Sequence, residues 1–222
     1  MSTNTSKIAV IGLGNIGKVV ATNLVKGNRP VIVASKKFDD AKSFAQQAGK
    51  LVTAMEVSEA IKAADIVVLS VWFSTIQELL TAQPKAFEGK IIIDPSNPIA
   101  PDGNGGFKKI IGENESAGTI IAGLLPPHAK LVKALGTFGA ATLASASQRK
   151  PEAAVLFYAT DDTSINSKVE ELIKDSGFEP VRVGGINQSI RIEVFGDLHE
   201  FGALGKPVSL AEAKTKVSLQ AV

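Results

Sequence analysis

Cysteine is absent from all 222 positions of this chain, which excludes disulfide staples and any metal site built on thiolates. Histidine occurs twice, tryptophan and tyrosine once each. No Ser-His-Asp, Lys-Tyr or paired-carboxylate arrangement can be read from the spacing, so no catalytic acid, base or nucleophile is assigned, and no metal site is expected. No apolar run approaches the ~18 residues that a membrane helix needs. The first residues, MSTNTSK, are polar and carry no hydrophobic signal region. A cytoplasmic protein without membrane association is the expectation. Charge of one sign is also lacking: 24 lysines and arginines face 22 acids, for a net charge of +2. The basic residues are spread along the chain without blocks or interleaved aromatics, which argues against a nucleic-acid partner.

What is present is a core-forming composition, 45% hydrophobic and 21% charged, and one conspicuous junction. Positions 7–17 read KIAVIGLGNIG, an apolar strand emptying into Gly12-Leu13-Gly14-Asn15-Ile16-Gly17. In a Gly-x-Gly-x-x-Gly turn between strand and helix, the first glycine allows the tight turn. The second lets backbone approach a pyrophosphate, and the third lets the helix pack on the strand. A helical pattern follows, with Ile16, Val19, Val20 and Leu24 on its apolar face. The start of that helix would aim free N–H groups and a positive dipole end at phosphate oxygens. The junction therefore reads as a dinucleotide site.

The ribose-reading position comes after the second strand, 31–34. Ser35 stands 18 residues past Gly17, close to the ~20 at which an NAD site places an acid for the 2′-hydroxyl. Here the chain reads Ser35-Lys36-Lys37, and the first acids are Asp39 and Asp40. A hydroxyl and two ammonium groups suit a 2′-phosphate, which selects NADP(H) over NAD(H). Solvated lysines at a helix start are the plain alternative, but a helix amino end disfavours cations.

Apolar strands alternate with helices onward: helix 40–48, weak strand 51–52, helix 57–64, strand 66–71, helix 75–81, strand 90–94, helix 119–124 and strand 131–135. Beyond Gly136 the pattern weakens, with strand 153–158, helix 164–176 and strand 180–183. This is an α/β chain, a doubly wound, mainly parallel sheet in one domain, with core 7–136 and a C-terminal extension 137–222. The segment 95–106 holds three prolines and three glycines and reads as an irregular, functional loop. Four strand ends should converge over the sheet's carboxyl edge: the Gly12 turn, Ser70-Val71-Trp72-Phe73, Asp94-Pro95-Ser96-Asn97, and Thr137-Phe138-Gly139-Ala140. Trp72 either walls the site or caps the sheet edge. Gly139 and Ala140 are small enough for a flat ring to approach. Asp94 is equally readable as an acid or as the holder of its own loop, and His128 and His199 read as surface residues.

On these motifs, with Ala64-Asp65-Ile66-Val67, Asp94-Pro95-Ser96-Asn97-Pro98, Thr137-Phe138-Gly139-Ala140-Ala141, and Gly184 through Ser189, Arg191 and Glu193, the chain resembles the deazaflavin (coenzyme F(420), here F420)-dependent NADP oxidoreductases. It is also similar to the cytosolic reductase domain of six-transmembrane metalloreductases. The resemblance runs from Lys7 to about Lys206. It departs where Lys36 replaces arginine, where Trp72-Phe73 stands for Pro-Trp, and in one extra residue before Arg191. It implies a Rossmann-type fold with NADP(H) on the glycine turn, on Ser35-Lys36-Lys37, and on Val71 and Ala140, with Ser70 and Trp72 beside them. It further implies an isoalloxazine-like ring near Asn97, Phe138 and Gly139.

The expected activity is hydride transfer between NADP(H) and a small-molecule redox acceptor: coenzyme F(420), FMN or FAD. Arg149, Lys150 and Arg191 are candidates for a basic rim holding an anionic tail. Two alternatives keep the nucleotide site: a reductase of a small C=O or C=N substrate, and a non-enzymatic NADPH sensor. Positions 190–204 are apolar enough for a homodimer surface.

Overall fold

A computed structural model describes residues 6–218. Eight strands form one sheet: β1 (Ile8–Ile11), β2 (Val31–Ala34), β3 (Val52–Ala54), β4 (Ile66–Leu69), β5 (Ile91–Asp94), β8 (Lys130–Lys133), β9 (Val155–Ala159) and β10 (Glu179–Gly184). Their order across it is β10-β9-β8-β5-β4-β1-β2-β3. Two further strands, β6 (Ile99–Pro101) and β7 (Phe107–Lys109), pair only with each other. The helices are α1 (Asn15–Lys26), α2 (Phe38–Ala48), α3 (Val57–Ala63), α4 (Phe73–Ala82), α5 (Pro84–Phe87), α6 (Ala117–Ala122), α7 (Ala140–Ser145), α8 (Asn166–Asp175) and α9 (Leu210–Ser218). Among the described residues no helix is long and apolar enough to cross a membrane.

Strands β1, β4 and β5 are buried at every residue, as expected of parallel strands covered on both faces. Alternation along β1 sends Ile8 and Val10 into one core with Val20 and Leu24 of α1. Ala9 and Ile11 go into the other, with Ile61 of α3 and with Ile76 and Leu80 of α4. Because β1 pairs in parallel with both β2 and β4, successive connections leave it in opposite directions. The crevice of a doubly wound sheet opens at that switch, over the carboxyl ends.

Four details differ from the sequence expectation. First, α1 buries Gly17 and Ala21 beside the expected Val20 and Leu24, while Ile16 and Val19 pack on the same core only partly covered. Second, segment 95–106 contains half of a β-hairpin, with Ile99 opposite Lys109 and Pro101 opposite Phe107. Asp102 holds its tip, Oδ1 accepting the N–H groups of Asn104 and Gly106 at 2.7 and 2.9 Å. Third, β9 meets β8 antiparallel through Lys133 and Ala159, while β10 runs parallel to β9. That reversal is where the βα pattern weakens in the sequence.

The fourth difference concerns Phe138. Its ring is 1% exposed and packs against Phe178 with centroids 6.3 Å apart. The side chain therefore belongs to the core and only its backbone can face an acceptor. Phe138→Ala should lower unfolding stability by about 3–5 kcal/mol in chemical denaturation, the cost of an aromatic-sized cavity. A loss below ~1 kcal/mol would place the ring outside the load of the core.

Candidate nucleotide and acceptor site

The β1–α1 junction has the geometry its three glycines require. Gly12 has φ +95°, a region L-residues rarely adopt, and a Cβ there would lie 2.3 Å from the Ser70 carbonyl oxygen. A Cβ on Gly17 would lie 1.9 Å from the Gly12 oxygen, so the helix touches the turn backbone to backbone. Gly14 is different: nothing stands within 4 Å of its Cβ position. It is the N-cap of α1, without a side-chain cap and without an acid in the first turn. The first N–H groups of a twelve-residue helix thus face open space, which is what a pyrophosphate needs.

Ser35 is brought beside this turn by the β1–β2 ladder. Ile11 lies opposite Ala34, and the Gly12 N–H donates to the Ala34 oxygen at 2.8 Å. Lys36 and Lys37 follow, both exposed, and neither has an ion pair among the described residues. Lys37 is the N-cap of α2 and lends no side-chain cap. Of the two acids in the first turn of α2, Asp39 pairs with Lys42 at 3.7 Å. Two unpaired ammonium groups at the β2 end fit a 2′-phosphate.

At the β4 end, Ser70 and Val71 back directly onto Gly12. Trp72 is the N-cap of α4 and is 61% exposed, an aromatic face standing free at the edge of the crevice. At the β5 end, Asn97 is a brace. Its Nδ2 donates to the Gly136 oxygen at 3.3 Å and its Oδ1 accepts the Val194 N–H at 2.7 Å. Asp94 holds its own loop by accepting the Ser96 N–H at 2.7 Å. Its other oxygen meets Lys133 Nζ at 2.8 Å, fully buried.

Lys133 also donates to the Ser96 carbonyl at 2.5 Å and lies 4.0 Å from Glu193. Glu193 in turn accepts the Ala117 and Gly118 N–H groups at the start of α6, at 2.8 and 2.9 Å. Two carboxylates and one ammonium thus join β5, β8, α6 and the chain beyond β10. Lys133 did not figure among the residues singled out from sequence, and Glu193 did so only within the motif that carries the family resemblance, because nothing local marks either as buried.

The acceptor side departs furthest from expectation. Arg191, proposed for a basic rim, is buried, with Nε and Nη2 both on Asp197 and the Nη2 contact at 2.8 Å. Arg149 and Lys150 are exposed but lie past the far end of α7, where the Gln148 N–H donates to the Gly177 oxygen ahead of β10. They are not on the mouth. Gly139 is the N-cap of α7, and its N–H donates to Glu200 Oε2 at 2.7 Å. Glu200 also accepts from Thr142 Oγ1. A glycine N-cap cannot satisfy the α7 donors, so an outside acceptor was implied by sequence, though not which one.

Of the apolar segment 190–204, Ile192, Val194, Leu198 and Leu204 are buried in this chain, leaving Phe195 and Phe201 exposed. His128 is exposed, as expected, but His199 is not a surface residue. It is 2% exposed, lies 3.0 Å from the Gly136 oxygen through Nε2, and accepts the Phe201 N–H at Nδ1 at 3.0 Å. An Nδ1 that accepts cannot carry the proton, so the neutral ring is protonated at Nε2 and donates to Gly136.

With this geometry in place, the comparisons are specific. The family described as NADP oxidoreductase coenzyme F420-dependent matches residues 7–98. Over those residues the resemblance to the F420-dependent NADP oxidoreductases holds. The matched stretch of this NADP oxidoreductase family runs from β1 to the loop after β5, and so contains the glycine junction, Ser35-Lys36-Lys37, the β4 end and Asn97.

Among solved structures, a hypothetical protein from Sinorhizobium meliloti is 28% identical, with 94% of this chain and 97% of that chain covered and a TM-score of 0.81. A protein from Arthrobacter sp. FB24, provisionally named an F420-dependent NADP-reductase, is 22% identical over 83% of this chain and 87% of its own, TM-score 0.71. An imine reductase from Aspergillus terreus, bound to NADPH4 and dibenz[c,e]azepine, shares the fold at 19% identity and TM-score 0.57; 84% of this chain covers 58% of that one. No curated protein matches the chain.

Burial, ahead of the raising influence of the Gly136 contact, pushes the His199 pKa down to about 4. The unfolded chain binds this proton near pH 6.5. Between those values only the unfolded state is protonated, so stability is complete above pH 6.5 and falls as pH drops toward 4. The loss approaches ~3 kcal/mol. Denaturation midpoints of the wild type and His199→Gln from pH 7 to pH 4 check this, the variant lacking the histidine's share of the slope.

Proposed function

We propose that the protein is an NADP(H)-dependent oxidoreductase that passes hydride between the nicotinamide and a flavin-like or deazaflavin ring. The observation that carries this reading is the cradle at the switch point. It combines the open Gly14 and uncapped α1 amino end with Ser35, Lys36 and Lys37 held beside it by the Gly12–Ala34 hydrogen bond. The match of residues 7–98 to an NADP oxidoreductase family supports the same assignment.

Bound NADPH would supply the hydride. The chain's own residues bind, orient and exclude. The α1 N–H groups hold the pyrophosphate, and Ser35 with the two ammonium groups holds the 2′-phosphate. Ser70 and Val71 form the floor against Gly12, and Trp72 offers an aromatic wall. At the β8 end Gly139 is covered by Phe201 and Glu200, so a second ring there would meet the exposed Phe201 side chain. Hydride transfer between stacked rings chiefly needs the reacting atoms held ~3–3.5 Å apart, and the rings carry the electronics. His199, buried and neutral, moves no proton in this scheme.

Two measurements test the reading. NADPH at about a hundred times its dissociation constant should stabilise the fold by ~2.7 kcal/mol, and NADH at the same concentration by much less. Equal stabilisation would defeat the 2′-phosphate assignment. The double change Lys36→Ala, Lys37→Ala should raise the NADPH dissociation constant about tenfold while leaving that for NADH nearly unchanged, as expected for losing charge-assisted phosphate contacts. Tight NADPH binding with no oxidation by 5-deazaflavin, riboflavin, FMN or an imine would favour a sensor over an enzyme.

A further inference from the structure

The β6–β7 hairpin takes no part in the nucleotide cradle, yet its tip holds Asn104-Gly105, and no other asparagine in the chain precedes a glycine. Every residue from Pro101 to Gly105 is exposed. The backbone on either side of Gly105 is engaged: Asp102 Oδ1 accepts the N–H groups of Asn104 and Gly106. The Gly105 N–H between them has no acceptor among the described residues, and the Asn104 carboxamide has no partner there either. Gly105 has φ +88°, and nothing stands within 4 Å of its Cβ position. An amide nitrogen with no side chain beside it and no hydrogen bond to hold it is open to reaction. The two nearest rivals are closed. Asn166-Ser167 opens α8, with the Asn166 Oδ1 buried. Asp102-Gly103 presents a carboxylate, a far poorer electrophile than a carboxamide, and it is occupied by two N–H groups.

We propose that Asn104-Gly105 is a self-modification site, where the folded chain loses ammonia and gains a carboxylate at the hairpin tip. This goes beyond the hydride-transfer reading and does not depend on it. Hydroxide removes the Gly105 amide proton, and that nitrogen attacks Asn104 Cγ. The new N–Cγ bond closes a five-membered imide, the Cγ–Nδ2 bond breaks, and Nδ2 leaves as ammonia. Water then opens the imide at one of its two carbonyls, giving aspartate or an isoaspartyl link. Nothing is oxidised or reduced. Either product lowers the chain's net charge of +2 by one and sets a second carboxylate near Asp102. The isoaspartyl product also lengthens the backbone by one carbon within the loop that Asp102 ties together. The hairpin is rooted at the carboxyl end of β5, where the Ile110 N–H donates to the Pro98 oxygen at 2.9 Å, next to the Asn97 brace.

The test incubates the purified full-length chain in warm, mildly alkaline buffer and follows ammonia release, isoelectric focusing, and peptide mass mapping of Asn104. Enzymatic methylation of isoaspartyl groups gives a separate signal. Conversion at Asn104 should run at no less than about a tenth of its rate in the urea-unfolded chain, a barrier difference within ~1.4 kcal/mol. It should quicken as pH rises. Gly105→Ala should slow it about tenfold, as for a barrier raised by ~1.4 kcal/mol. Asn104→Gln leaves the glycine in place and should abolish the signal, since its longer side chain no longer closes a five-membered ring. A folded chain that keeps its Asn104 carboxamide while the unfolded chain loses it overturns the proposal, because the loop then blocks ring closure. Ammonia released chiefly from another asparagine, or a signal that persists in Asn104→Gln, overturns it as well.

Discussion

The contact between Gly17 and the Gly12 carbonyl, where a single added methyl carbon would stand at 1.9 Å, governs the geometry of the nucleotide half. Helix α1 can lie so close to the end of β1 only because neither backbone carries a side chain at the crossing. That closeness aims the helix axis along the crevice and leaves its unpaired N–H groups at the open face of Gly14. The same turn backs onto Ser70 and reaches across to Ala34. Three strand ends are therefore registered by one turn of backbone, and Ser35-Lys36-Lys37 inherits its position from that register.

The acceptor half depends on a different kind of force. Asp94, Lys133 and Glu193 are buried ions, and burying ions costs desolvation unless geometry and further hydrogen bonds compensate. Here Asp94 gains the Ser96 N–H, and Glu193 gains two N–H groups of α6. Such an arrangement tolerates little displacement, since any shift leaves a charge unpaired in the interior. Asn97 adds a neutral tie between Gly136 and Val194. The wall opposite the nucleotide is thus set by polar contacts, while the nucleotide cradle is set by the absence of side chains.

This contrast explains how much of the molecule was legible in its sequence. The β1–α1 junction and the doubly wound order could be read because they rest on local periodicity and on glycines a few positions apart. The hairpin Ile99–Pro101 with Phe107–Lys109 could not, since three-residue strands give no alternation and prolines and glycines mask the pairing. The positions of Arg191, His199 and Glu200 are fixed by their partners and by contacts with Gly136 and α7. A sequence shows that an arginine is present, but whether its charge is free depends on Asp197 and on the turn that presents it. Phe138 was misplaced for a related reason: adjacent positions point to opposite sides, so Gly139 lies under Phe201 and Glu200 while the neighbouring ring enters the core.

The Asn97 brace has a consequence for the order in which the molecule can be assembled during synthesis. The phosphate cradle with its Ser70-Val71 floor and Trp72 wall draws only on residues up to Trp72, so its parts are all present once the first third of the chain has emerged. The opposing wall needs Val194, which lies 97 residues beyond Asn97. A growing polypeptide can therefore possess a place for the adenosine phosphates long before it possesses a place for the second ring, and only the finished chain can bring the two reactants together.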